Sequence, residues 1–461
     1  MIPPALCEYL KANEPAHLER LCELLRFPSV ANDTSRPDPC ARCAEWLAGR
    51  MREIGLTAEV VRPAAGGKPI VLAEGRAAEA DAPTLLIYAH YDVQPPDPLD
   101  EWRTEPFEPV VRDGNVYARG ACDDKGPLAA AMAAIEAWGA CGGLPANVRF
   151  LVEGEEEIGS PHIEAVLAEL RDRLTADAAV VVDTSFYAHD LPSITYGLRG
   201  LAYFEIELRG AAQDAHSGLH GGALANPANA LARLIAAMHD EDGRVAIDGF
   251  YDRVRPVGEA ERTLWARLPF DEAEYAASLG AKELAGGEQG VGVFERLWAR
   301  PALDCNGIVS GYTEPGSKTI IPAKASAKIS CRLVPDQDPE RIAEGVRGFV
   351  ARNTPRGMTA TVQVNALARP CAIPLDSPAL QAGCEALREA FGRDPALVRC
   401  GASIPVGECI QRVLGVDAVL LGCTLPDDGH HAPNEKYALS MLRGTSLAIA
   451  SLLQRMAGRE R

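Results

Sequence analysis

Thr84-Leu-Leu-Ile-Tyr-Ala89 is a continuous apolar run that ends at His90. Six residues is strand length, and apolar character without alternation is what a strand buried on both faces requires. Two further runs of the same kind follow, Asn147-Val-Arg-Phe-Leu-Val152 and Ala178-Ala-Val-Val-Val182. Between the first two lies the alanine-rich stretch from Gly126 to Gly139, a strong helix former. Strand, helix, strand in that order predicts an α/β fold with a mainly parallel sheet flanked by helices. Ligands of such sheets bind beyond the carboxyl ends of the strands.

Working outward, residues 16–30 and 39–54 have the spacing of amphipathic helices, the second with Cys43, Leu47 and Met51 on one stripe. Val60-Val61 is too brief to assign. From about residue 198 the pattern changes. Tyr203 to Arg209, Lys324 to Leu333 and Thr359 to Asn365 alternate apolar and polar residues, as strands with one wet face do. Helices are expected from Asn226-Pro227 to about His239 and from Pro339 to Asn353. Asp417-Ala-Val-Leu-Leu-Gly422 then returns a buried strand. The expected organisation is a discontinuous first domain, residues 1–197 and 375–461, with an α+β domain, 198–374, inserted in it.

At 461 residues the chain exceeds the roughly 250–300 at which single cores stop growing, in accord with two domains. The formal net charge of -18 opposes a nucleic-acid or anionic-membrane partner. The apolar helical stretch Leu128 to Ile135 is far short of the ~20 residues that cross a bilayer. The N-terminus has no basic segment leading a long apolar one, so a cytoplasmic location is expected. Thirteen cysteines without a regular framework fit free thiols in a reducing compartment, and Cys40-Ala-Arg-Cys43 has no second pair downstream.

Five positions at or just after expected strand ends carry the chemistry: His90, Asp123, Glu157, Asp183 and His431. Two imidazoles and three carboxylates suit two zinc-like ions that share one carboxylate and keep positions open for water and substrate. Three carboxylates cancel three of four positive charges, and a hydroxide would cancel the fourth. Glu156, beside a ligand but not needed as one, is placed to take a proton from the attacking water and pass it to a leaving amine. A lone carboxylate at a strand end is more often simply solvated; the full set is what favours ligation. His430 competes with His431, and the step to Asn434-Glu435-Lys436 favours the latter. His17, His162, His189 and His239 read as ordinary surface or helix histidines.

These motifs resemble those of the zinc exopeptidase family that includes carnosinase-type dipeptidases, carboxypeptidase G, aminoacylase and acetylornithine deacetylase. The resemblance covers nearly the whole chain. It is carried by His90-Tyr-Asp92, Arg119-Gly-Ala-Cys-Asp123-Asp-Lys-Gly-Pro127, Glu153-Gly-Glu-Glu156-Glu157-Ile-Gly-Ser160, Asp183, Asp214-Ala-His216-Ser-Gly218 and His430-His431-Ala-Pro-Asn434-Glu435-Lys436. It implies that His90 and Asp183 bind one ion, Glu157 and His431 the other, and that Asp123 bridges both. It further implies a cis Asp123-Asp124 peptide, and Asp92 orienting the His90 ring. The cofactor implied is two zinc ions per subunit, with manganese or cobalt as alternatives.

The family also assigns the inserted domain to a lid and dimerisation role, in a homodimer. There His216 matches a histidine that stabilises the tetrahedral oxyanion; His220 competes with it but lacks the following Ser-Gly. Arg332 resembles an arginine that holds the substrate's free carboxylate, a suitable bidentate device, with a plain strand residue as the lesser alternative. Asn306, Thr319 and Ser403 resemble its neighbours. Members that act as dipeptidases tend to have Asp at the position of Asp183, deacylases and carboxypeptidases Glu, and the segment from Phe250 to Trp298 resembles the carnosinase-like branch. The expected function is hydrolysis of dipeptides or short peptides. An N-acyl amino acid deacylase, of the acetylornithine deacetylase or succinyl-diaminopimelate desuccinylase kind, is the alternative, and a silent binding protein a remote one.

Overall fold

The computed structural model describes residues 1–33, 38–402 and 404–458. It divides into two compact units. The first comprises Met1–Tyr196, Ile373–Val398 and Ile404–Arg461; the second comprises Gly197–Ala372 and a short stretch beginning at Arg399. The uninterrupted return expected over 375–461 does not anticipate that stretch. Its cause is side-chain chemistry: Arg399 pairs with Glu261 and lies 5.7 Å from the Trp265 ring, while Arg199 donates its backbone N–H to Cys400 at 3.1 Å.

In the first unit the sheet runs, strand by strand, Thr57–Val61, Ile70–Gly75, Asn147–Glu153, Thr84–His90, Ala178–Ser185, Ala418–Thr424, Ser193–Leu198. Only the three joins on either side of Thr84–His90 and between Ala178–Ser185 and Ala418–Thr424 are parallel; the outer joins are antiparallel. Parallel pairing is thus confined to the middle of the sheet, where the strands are mostly buried. Toward the first edge the pairing turns antiparallel, and the edge strand Thr57–Val61 is half exposed. Thr84–His90 and Asn147–Glu153 end in register, His90 opposite Glu153. The carboxyl ends of the central strands therefore share one edge of the sheet.

The helix Pro39–Glu53 starts at Asp38, whose carboxylate accepts the Ala41 N–H at 3.1 Å. Its buried stripe is Cys40, Cys43, Ala44, Leu47 and Met51, so the C-x-x-C pair faces the core, and all 13 cysteines are free thiols. The alanine-rich helix Lys125–Ala140 is buried nearly all round. Its Glu136 is an exception in charge. It pairs with Arg20 and lies 3.5 Å from His17 Nε2, both on the helix Glu14–Leu25, and accepts from Tyr9 Oη at 3.2 Å. Burial acts to raise its pKa, but His17 and Arg20 outweigh that and hold it at about 2, below the ordinary 4.5.

A depressed carboxyl stabilises the fold above its unfolded pKa and loses that effect as pH falls through the folded one. Glu136→Gln should therefore lower stability by about 2 kcal/mol at pH 7. Denaturant titrations of both proteins should converge between pH 4.5 and about 2; a deficit independent of pH would mean that charge is not the cause.

The second unit is built on an antiparallel sheet in the order Ala302–Ser310, Lys324–Leu333, Gly200–Arg209, Thr359–Ala368. Alternation buries Ala202, Phe204, Ile206 and Leu208 against Leu231 and Leu234 of the helix Pro227–Ala236 and Ile342, Val346 and Val350 of Pro339–Asn353. The segment from Phe250 to Trp298 closes on its own rings, with Phe294 and Trp298 stacked at 4.4 Å and Trp265 edge-on to Trp298 at 5.4 Å.

Candidate metal centre

His90 closes its strand, and Asp123 precedes the cis Asp123-Asp124 peptide that leads into the helix Lys125–Ala140. Glu156 and Glu157 occupy the tight turn after Asn147–Glu153, Asp183 lies within Ala178–Ser185, and His431 sits in the loop after Ala418–Thr424. All these elements belong to the first unit. Two donor groups result, His90 with Asp123 and Asp183, and Asp123 with Glu157 and His431; within each group the ligand atoms lie within 4.8 Å of one another. Asp123 is common to both. His90 Nε2 is 3.1 Å from Asp123 Oδ1 and 3.8 Å from Asp183 Oδ2, and His431 Nε2 is 3.1 Å from Asp123 Oδ2 and 3.2 Å from Glu157 Oε2. His430 stays outside the cluster, its Nε2 at 3.2 Å from Thr424 Oγ1.

The electrostatics of these donors fit divalent cations. Burial, then the charge of Asp123, pushes the Asp183 carboxyl well above its ordinary range. Asp123 is held low despite burial, by its bonds to His431 and His90. His431, bonded to Asp123 and Glu157, is pushed up to about 10; His90 rises as well, because Asp123 and Asp92 outweigh its burial. Three carboxylates crowded at this depth draw in protons, and two dications would satisfy the same demand with oxygen and nitrogen donors of the preferred kind. Burial is also the largest cause that raises Glu156 to about 7, with Asp123 and Glu157 adding to it and His90 opposing.

Asp92 touches both the His90 ring and the turn that bears the glutamates. The nearest partner of His90 Nδ1 is the Asp92 main-chain oxygen, at 3.0 Å; the carboxylate is at 3.4 Å. That carboxylate accepts the N–H groups of Glu156 (3.2 Å) and Glu157 (3.0 Å), so it fixes the turn bearing both glutamates. Gln94, unremarked in the sequence, donates to Glu157 Oε2 at 2.7 Å. No local pattern marks it. Gly154, just before the turn, has no room for a side chain: a Cβ there would lie 2.3 Å from the Tyr91 ring.

His216, Arg332, Asn306 and Thr319 all belong to the second unit; Ser403 lies outside the described residues. His216 pairs with Ile320 in a two-stranded ribbon, Ser217 donates its N–H to Thr319 O at 3.0 Å, and Asp214 anchors the ribbon by accepting the Ala323 N–H at 2.9 Å. His216 Nδ1 accepts the Gly218 N–H at 3.0 Å, which leaves Nε2 for another partner. His220 is exposed on the short helix that follows. Arg332 is half-buried opposite Ala302, and Asn306 sits on that neighbouring strand at the irregularity between Cys305 and Gly307.

Residues 86–455 match the family model described as peptidase family M20/M25/M40. The chain is similar to Beta-Ala-His dipeptidase of Homo sapiens, 30% identical over 98% of this chain and 93% of that protein. It is similar in the same degree, 30%, to the Cys-Gly metallodipeptidase of Saccharomyces cerevisiae, over 96% of this chain and 95% of the other. Among solved structures, an M20 family metallo-carboxypeptidase from Sulfolobus solfataricus superposes with a TM-score of 0.84 at 32% identity, covering 96% of this chain and 99% of that one.

Proposed function

This chain belongs to peptidase family M20/M25/M40, and from that footing we propose that it is a metal-dependent dipeptidase, a hydrolase of the amide bond in dipeptides or short peptides. The observation that carries the proposal is the pair of donor groups sharing Asp123, with Glu156 next to one of the donors. Curated relatives named as dipeptidases, similar over nearly the whole length, support the substrate class. So does aspartate at position 183, by the family tendency stated above.

His90, Asp183 and Asp123 would hold one ion, and Asp123, Glu157 and His431 the second; two zinc ions suit these donors, with manganese or cobalt as alternatives. Bound there, the ions would supply Lewis acidity, making water acidic and polarising the substrate carbonyl. Glu156 takes the proton of the attacking water and returns it to the departing amine nitrogen; burial is what lets this carboxyl be reprotonated near neutrality. Asp92 keeps Glu156 and Glu157 in place through their N–H groups. His216 stabilises the oxyanion. Arg332, with Asn306, Thr319 and Ser403, receives the substrate carboxylate.

A homodimer is proposed, with the inserted domain as lid and dimerisation element. The outer strand Ala302–Ser310 has one neighbour in its sheet and exposes Ile308 and Val309, a surface suited to a second copy. A cytoplasmic location is supported by 13 free thiols. No helix among the described residues is long and apolar enough to cross a membrane, and a net charge of -18 disfavours nucleic acid.

Trimming of longer peptides from the carboxyl end is a second reading, favoured by the fit to the Sulfolobus carboxypeptidase. The test is release of amino acids from dipeptides, longer peptides and N-acyl amino acids by cation-loaded protein. Cleavage of dipeptides in preference to the rest is expected. Stepwise loss of C-terminal residues would favour the second reading, turnover of acyl substrates alone would indicate a deacylase, and no turnover at all a binding protein.

A further inference from the structure

We propose that Glu435 is a positioning residue that ties the loop carrying Asp123 to the loop carrying His431, so that the two cation sites form as one unit. The inference rests on Asp123 being the shared ligand. The Glu435 side chain is completely buried and accepts four hydrogen bonds. Its Oε2 receives Arg119 Nη1 and the Gly120 N–H, both at 2.8 Å; its Oε1 receives the Cys122 N–H at 2.8 Å and the N–H of Asp123 itself at 3.1 Å. The backbone adds a fifth link, Ala118 N–H to Glu435 O at 3.1 Å. A single carboxylate therefore sets the path of residues 119–123.

The other side of the tie is equally fixed. His431 and Asn434 have positive φ, 58° and 63°, a backbone region uncommon for non-glycine residues but one in which Asn and His are enriched. Asn434 accepts the Arg103 N–H and donates to Glu101 O, both at 2.8 Å. Lys436 donates its N–H to Asp428 O at 2.9 Å, and Lys436–Ala438 pairs with Asn115–Tyr117. His431 thus projects from a loop whose end carries the carboxylate that shapes the Asp123 loop. Displacing Glu435 moves Asp123, which serves both ions, and His431, which serves the second.

The four donors around Glu435 demand an acceptor on both oxygens. In Glu435→Gln the amide nitrogen would face N–H donors in place of one oxygen, leaving buried donors unmet. Arg119→Met is the contrasting variant: it removes the ion pair but leaves the carboxylate on its three backbone N–H groups. A role in fold stability alone would make the two variants equivalent. A positioning role makes them differ in cation binding.

The experiment is zinc binding to the full-length chain, stripped and then titrated, with metal content measured by mass spectrometry after equilibrium dialysis. Wild type and Arg119→Met should each bind two ions. Glu435→Gln should bind both ions more weakly, the second, which loses the placement of both Asp123 and His431, by about 10- to 100-fold, the range for partners that orient ligands. Should Glu435→Gln fail to fold, the double variant Arg119→Met/Glu435→Gln, which has no stranded guanidinium, takes its place with the same expectation. Two ions at wild-type affinity in the glutamine variant, or equal losses in it and Arg119→Met, would overturn the proposal. Asp123→Asn separates the premise: if it too binds two ions normally, Asp123 is not the shared ligand and the assignment of the centre fails first.

Discussion

Glu156→Gln is expected to lower kcat for dipeptide hydrolysis by about 10³-fold, within the range that a positioned acid–base group contributes. The substitution is isosteric, and the backbone N–H that Glu156 gives to Asp92 is retained, so the turn that carries Glu157 should keep its shape. Cation content and KM should therefore change little, which places the loss in the proton transfer alone. The amide can neither take the water's proton nor return one to the amine. Parallel steady-state kinetics and metal analysis decide the matter. A variant with near wild-type kcat would transfer the role elsewhere, and one that had lost its ions would show that Glu156 serves as a ligand.

Removal of cations should abolish hydrolysis, with recovery on adding back zinc, manganese or cobalt. It should also destabilise the fold. A ligand present at a hundred times its dissociation constant stabilises by about 2.7 kcal/mol, so the loaded protein should melt about 5 °C or more above the stripped one. The gap carries a pH signature. In the stripped protein Glu156, raised to about 7, and His431, raised to about 10, hold protons that lessen the repulsion among the carboxylates. A group with a raised pKa stabilises below its unfolded value and loses that effect as pH rises through the folded one. The stripped protein should accordingly weaken from about pH 4.5 to 7 through Glu156 and from about 6.5 to 10 through His431, and the interval between the two melting curves should widen over that range. An interval that stayed constant would separate those protons from cation binding.

Local signals in the sequence carried farthest where a cap or an unbroken apolar run is decisive. The helix expected from Pro339 to Asn353 has those ends because Asp338 accepts the Glu340 N–H and Pro339 suits the first turn. The helix begun at Asn226-Pro227 has the same device. The runs after Thr84, Asn147 and Ala178 are strands, their strand length and β-branched content suiting a sheet interior. What stayed illegible depends on partners distant in the chain. The antiparallel join of Ile70–Gly75 to Asn147–Glu153, the packing of Arg399 with Glu261 and the bond from Gln94 to Glu157 have no local pattern, since each is fixed by residues 63 or more positions away. Within the metal centre the residue types and order were readable. That Asp92 works through its main-chain oxygen and through two amides was not, because backbone geometry has no letter of its own.

The strand Ala418–Thr424 lies between Ala178–Ser185 and Ser193–Leu198, and this has a consequence for how the protein is made. Its two flanking strands leave the ribosome first, and a gap between them must wait while the chain from residue 198 to 418 is synthesised. At about 5–20 residues per second that wait is on the order of tens of seconds. Throughout it the nascent chain presents two unpaired edges, the kind of surface on which newly made proteins aggregate. His431 arrives only after the missing strand. A ribosome-bound intermediate can therefore possess His90, Asp123 and Asp183 yet have no complete centre, so that closure of the sheet and onset of hydrolytic activity both wait until residues 418–431 have been made.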